Sequence, residues 1–247
     1  MSLVEFMSVF ARLPTLKLLY GYGVLGHKSG TADRPLHTWR YMPERSSTVE
    51  ILEIYMADGE DIDFNLLVKF CGLRYVILDI MYINPRQPRD LGLIDDLTRW
   101  HSRSLEHLHL TCKLYDRRPR RANMSFYTLK HLTQLKTVVL DLLFYWWWLR
   151  GGKYENECEE KRPEGLDTPL SEIFPASIED ITLCGKYYFQ TIERVVKGIE
   201  EAKVKELRKL RYLRFANSLR RLSIEDSIVE GYTERCESVG VELFVGL

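Results

Sequence analysis

His107 and His109 sit two residues apart in the run SLEHLHLT. On a strand that spacing puts both imidazoles on one face. Asp79 and Asp141 occupy comparable runs on either side. Together the four make a set of nitrogen and oxygen donors of the kind that can hold a metal ion. Nothing in the spacing supplies the outer layer of partners that orients metal-bound imidazoles. Polar side chains simply facing water are the better account, and no metal or other cofactor is expected. The run RRPRR at 117–121 could meet phosphate or serve as a localisation signal. It lacks the interleaved aromatics of a single-strand binder, so a solvated loop is expected and nucleic acid is disfavoured. Trp146, Trp147 and Trp148 are adjacent, so their rings diverge and cannot all enter one core. An accessible indole, with Trp147 as the candidate, can anchor a protein partner. The alternative is that these rings pack beneath the residues that follow. No P-loop, dinucleotide-binding glycine motif, nucleophile elbow or H-E-x-x-H is present, and no acid–base pair is set up by spacing. The chain does not read as an enzyme.

The elements that carry these residues come from one phrase that returns along the chain. Leu105-Leu108-Leu110 recurs as Leu13-Leu16-Leu18, Val49-Leu52-Ile54, Leu73-Val76-Leu78, Leu135-Val138-Leu140, Ile178-Ile181-Leu183 and Leu210-Leu213-Phe215. Three apolar positions are weak support in a chain that is 45% hydrophobic. The segments between the copies strengthen it, because most carry one helical stripe. Phe64, Leu67, Val68 and Cys71 form one, with Asp61 as N-cap and Gly72 as stop; Leu93, Leu97 and Trp100 form the next. Ile192, Val195, Val196 and Ile199 form another, and Ile228, Tyr232, Cys236 and Val239 the last, closed by Gly240. Phe126, Leu129 and Leu132 give a weaker helix. A short strand is expected at 241–245. Leu219-Leu222-Ile224 also fits the phrase, but two repeats cannot follow nine residues apart, and the register at Leu210 is preferred.

Alternating strands and helices suit either an open solenoid or a closed α/β sheet or barrel. Strands covered on both faces read as continuous apolar runs. Here Glu53, Asp79, His107, His109, Asp141, Asp180, Thr182 and Arg214 stand between the apolar positions. One face must accept water, which favours the solenoid over a filled barrel. The exposed strand positions in this register include Lys17, Leu19, Ile51, Glu53, Tyr55, Tyr75, Asp79, His107, His109, Asp141, Tyr212 and Arg214.

With its L-x-x-L-x-L strands each followed by a helix, the chain resembles a leucine-rich repeat domain. The long irregular repeats, FPASIEDITL at 174–183 and CESVGVELFV at 236–245, resemble the divergent repeats of fungal F-box-type proteins. The family pattern places Asn or Cys beyond the third Leu; here Ala57, Met81, Lys113, Leu143 and Lys186 stand there. The resemblance implies an α/β leucine-rich repeat solenoid, with a curved parallel sheet on the concave side and helices on the convex side. It also implies an association with ubiquitin-ligase components. The F-box itself is not found, and Leu13-Pro14 followed by Thr15 and Leu16 is only a superficial likeness to its opening.

Composition narrows the partner classes. The 35 basic and 35 acidic residues cancel, so no global field draws the chain to nucleic acid or a membrane surface. No apolar stretch is long enough to span a bilayer. No secretion signal is read at the start. Five Cys without paired spacing fit reduced thiols, in a cytoplasmic or nuclear setting. The chain is expected to be one repeat domain over 1–247, with a flexible acidic insertion at about 150–168 and an apolar cap or preceding domain around 2–12. The expected function is protein–protein interaction through the concave face, with Tyr55, Tyr75, Asp79, His107, His109, Asp141, Tyr212, Arg214 and Trp147 as contact residues. The alternatives are the substrate-recognition part of an F-box-type ubiquitin ligase and, less favoured, an α/β enzyme.

Overall fold

The computed structural model of the chain describes residues 15–22, 43–58, 64–82, 93–112, 128–141, 170–184, 189–216 and 226–246. The apolar stripe at 2–12, the RRPRR run, Trp146, Trp147, Trp148, the acidic segment at 150–168 and the phrase at Leu219 lie outside the described residues. The chain divides into two compact units, Met1–Arg118 and Pro119–Leu247. In the first, strands β1 (Leu18–Tyr22), β2 (Ile51–Asp58), β3 (Tyr75–Tyr82) and β4 (His107–Cys112) pair in parallel and in chain order. A 3₁₀ helix (Phe64–Lys69) and helix α1 (Leu93–His101) connect them. In the second, β5 (Thr137–Asp141), β6 (Asp180–Cys184), β7 (Tyr212–Ala216) and β8 (Glu242–Val245) pair in the same way. Its helices are α2 (Leu170–Ile173), α3 (Phe189–Lys203) and α4 (Asp226–Ser238). Each unit is therefore α/β with parallel strands. Among the described residues no helix is long and apolar enough to cross a membrane.

The recurring phrase is the core. Its residues in the second to seventh copies, from Val49 through Phe215, are all 3% exposed or less. Burying each such side chain contributes about 1.5–3 kcal/mol. The first copy corrects the expected register. Leu19 aligns with Leu52 and is buried, whereas Leu18 and Tyr20 are 48% and 51% exposed. The copy therefore starts at Leu16 rather than Leu13, and Leu19 leaves the wet face while Leu18 joins it. A shift that changes parity exchanges the two faces of a strand. The apolar run LKLLY satisfies both frames, and backbone pairing with β2 decides between them.

That pairing has a repeated form at the strand starts. The Lys17 carbonyl accepts from both Glu50 and Ile51 N–H, at 2.9 and 3.0 Å. The Glu50 carbonyl accepts from Arg74 and Tyr75, and the Arg74 carbonyl from Glu106 and His107. In the second unit Lys136 serves Glu179 and Asp180, and Glu179 serves Arg211 and Tyr212. The side chains at these leading positions alternate in sign: Lys17, Glu50, Arg74, Glu106 in one unit and Lys136, Glu179, Arg211 in the other. Lys17 pairs with Glu50 at 2.6 Å, and Arg74 donates to Glu106 at 2.7 Å. These pairs hold the Glu50 carboxyl below, and the Arg74 guanidinium above, its ordinary value. Just before two copies, Thr48 and Ser177 donate from Oγ to the carbonyls of Leu16 and Leu135. The Thr48 bond independently marks Leu16 as the first residue of its copy.

The helices close over the other side of each core. Helix α1 places Asp95 and Asp96 in its first turn and Arg99 and His101 in its last, in line with its dipole. His101 is buried; it accepts from the Leu73 N–H at Nδ1 (3.3 Å) and donates from Nε2 to the Leu67 carbonyl (2.9 Å). Those two bonds require the neutral ring, and burial pushes its pKa down. In the second unit Arg235 of α4 clasps two carboxylates of α3, Glu193 at 2.9 Å and Glu200 at 2.7 Å. Helix α4 ends as expected at Gly240, with φ +74°, Gly240 N–H to Glu237 and Val241 N–H to Cys236. This is a Schellman turn, which needs a left-handed residue. Gly198 admits α2: an added Cβ would lie 3.0 Å from the Leu170 side chain. Two expected helices differ. The stripe from Phe64 winds as a 3₁₀ helix of six residues. Around Leu129 the described residues form turns, because the Thr128 hydroxyl and Leu129 N–H bind carbonyls at the end of α2.

Candidate binding face

Strand alternation carries a polar and aromatic set to the face opposite each core. In the first unit it comprises Leu18 and Tyr20 on β1, Ile51, Glu53 and Tyr55 on β2, Tyr75, Ile77 and Asp79 on β3, and His107, His109 and Thr111 on β4. None of these side chains is sealed in. Tyr75 stacks on His107 across the ladder, with centroids 4.2 Å apart and planes within 9°. Arg74 lies over the same Tyr75 ring at 6.0 Å. Tyr20 and Tyr55 form a tilted pair, 5.6 Å apart at 44°. Glu53 stands opposite Tyr20 in register and accepts a long bond of 3.5 Å from the Tyr55 hydroxyl. Burial, then the Glu53 carboxylate, pushes the Tyr55 hydroxyl up. Thr111 donates to Asp79 at 3.0 Å. Burial lowers the pKa of His109, and the nearby Asp79 carboxylate only partly opposes this, so the ring is neutral near pH 7.

The second unit presents Thr137, Asp180, Tyr212 and Glu242 in one row, and Val139, Thr182, Arg214 and Phe244 in the next. Its centre is Arg214. The guanidinium makes an ion pair with Asp180 Oδ2. It also lies over two rings, Tyr212 at 4.9 Å and Phe244 at 5.3 Å. The rings form a tilted pair of their own, 6.5 Å apart at 42°. Asp180 Oδ1 is buried without a hydrogen-bond partner among the described residues. The Arg214 pair is therefore the main compensation for that carboxylate.

The expected site residues thus fall into two separate sets. Tyr55, Tyr75, Asp79, His107 and His109 share the face of the first unit, and Tyr212 and Arg214 that of the second. Asp141 aligns with Cys184 at the end of β5, and its side chain is not among those described. Trp147 lies outside the described residues. His109 aligns with Ile77, and Asp79 with Thr111 one step further on. Among the described residues no three His, Cys, Asp or Glu side chains are grouped to hold a metal.

The expected frame does not bring Tyr20 or Phe244 onto the wet face. Tyr20 was legible from Lys17: a charged residue directly follows the first apolar residue in the copies at Val49, Leu73 and Leu105, and only the frame starting at Leu16 keeps that rule. Phe244 was legible as the polar-face partner of Leu243 in the last strand. Such faces can present ring surface, hydroxyls and carboxylates to a ligand. The chain matches no known family model, no curated protein and no solved structure.

Proposed function

We propose that the chain is a protein-binding module, and that its parallel strands belong to a leucine-rich repeat arc whose wet face receives the partner. The observation that carries this reading is the aromatic content of the first unit's face. Leu18 and Tyr20 are two of the three large apolar side chains exposed among the described residues, and both lie there beside Tyr55 and the Tyr75–His107 stack. Exposed aromatic anchors beside polar groups are the composition of an interface centre and its rim. The lowered pKa of His109 leaves its ring an uncharged, ring-shaped surface beside the Asp79 carboxylate. The test replaces Tyr75 and His107 together by Ala and compares proteins recovered from the native cell by each form. The double variant loses a partner that both wild type and the helix-face control Glu234→Ala retain. Recovery of the same partners by all three forms would refute the assignment. A ubiquitin-ligase adaptor among the lost partners would point to the substrate-recognition role that the family resemblance implies.

A further inference from the structure

We infer that Tyr20, Tyr55 and Glu53 form a receptor for an arginine side chain supplied by a partner protein; this deepens the protein-binding reading and rests on it. In the second unit two rings tilted at 42°, Tyr212 and Phe244, and a carboxylate, Asp180, surround the guanidinium of Arg214. The first unit has the same parts: two rings tilted at 44°, Tyr20 and Tyr55, and the carboxylate of Glu53. No cation lies over either of these rings among the described residues, and the interaction made there by Glu53 is the long bond from the Tyr55 hydroxyl. A guanidinium satisfies both components at once, since it stacks on aromatic faces and bonds a carboxylate in its plane. Arginine is also the cation this chain sets against its own rings, at Arg74, Arg99 and Arg235 as well as Arg214. Tyr20 is 51% exposed, so an incoming side chain can reach it without rearrangement of the core.

The test titrates the full chain, carrying ¹³C-labelled tyrosine rings, with capped tripeptides Gly-Arg-Gly, Gly-Lys-Gly and Gly-citrulline-Gly. The arginine peptide shifts the Tyr20 and Tyr55 ring resonances saturably. Citrulline, which keeps the shape and loses the charge, binds at least about tenfold more weakly, and lysine falls between. Glu53→Gln and Tyr20→Leu each weaken the arginine peptide about fivefold; both sites are outside the core, and unchanged circular dichroism checks the fold. Equal binding of citrulline and arginine overturns the proposal in favour of an apolar occupant. Shifts of the same rings with protein concentration and no peptide overturn it in favour of a second copy of the chain. If citrulline matches arginine while the Tyr75 and His107 variant still loses its partner, the arginine receptor falls and the binding module stands. If arginine is selected while partner recovery ignores Tyr75 and His107, the receptor stands and the assigned interface falls.

Discussion

Tyr20 and Tyr55 in the first unit, and Tyr212 and Phe244 in the second, are assembled from the same parts by the same strand geometry. In each case two aromatics from neighbouring strands tilt toward each other on the polar face, and a carboxylate stands beside them. The second pair is occupied by Arg214 from within the chain; in the first, Tyr20 stands exposed beside the half-buried Tyr55. The difference comes down to one strand position: Arg214 of β7 aligns with Phe244, whereas the residue of β1 that aligns with Tyr55 is Tyr22. A repeat scaffold can thus turn a structural contact into an open site by a single side chain. Shared architecture and separate chemistry are the two things to pull apart by experiment.

The largest effects come from the shared part. Leu108→Ala in the first unit and Leu213→Ala in the second each remove a fully buried phrase residue. Each is expected to cost about 3 kcal/mol, read as a lower urea midpoint. Equal losses would show that the two cores are equivalent; a loss confined to one would separate them. Arg214→Ala follows. It strips the half-buried Asp180 of its ion pair and empties the ring pair, at a cost of about 1–2 kcal/mol. Guanidinium added at millimolar concentration is expected to restore part of the thermal midpoint of that variant and to leave wild type unchanged. Lack of rescue would remove the model for the arginine receptor.

The smallest effects separate the units by pH. In the first, His101 and His109 are held neutral by burial, with folded pKa values below the usual imidazole value of about 6.5. The unfolded chain then binds more protons in mild acid, so stability is full above about pH 6.5 and declines as pH falls through the lowered values. In the second, burial pushes the Cys236 thiol up to about 11. There the folded form retains a proton that the unfolded thiol loses, so stability is full below about pH 8.5 and declines as pH rises toward 11. Hydrogen exchange of amides in β3 and β8 across this range is expected to show acid weakening in the first and alkaline weakening in the second. His101→Gln should flatten most of the acid limb and Cys236→Ser the alkaline one.

Strand spacing, core identity and three of the helices were readable because apolar residues at fixed intervals leave few alternatives, as the copies from Val49 to Phe215 illustrate. The face of the first strand was not, since Leu16, Leu18 and Leu19 satisfy either parity and only pairing with β2 chooses. The turns at Leu129 were hidden for another reason. Their hydrogen-bond partners are the carbonyls of Glu172 and Ile173, more than forty positions away, and no local pattern announces them. Tyr75 and His107 could be placed on one face from the alternation, but not stacked, because stacking depends on which residues align across strands. The closed ring pair around Arg214 needed three strands at once, and only folding supplies that.

The alternation of sign at the strand starts has a consequence for how such a chain can lengthen or shorten. Excising one unit of the series from the first half would bring Lys17 beside Arg74, cation against cation. Excising two would bring Lys17 beside Glu106 and leave attraction intact. An odd step in the series therefore sets like charges side by side, and an even step keeps opposite charges paired.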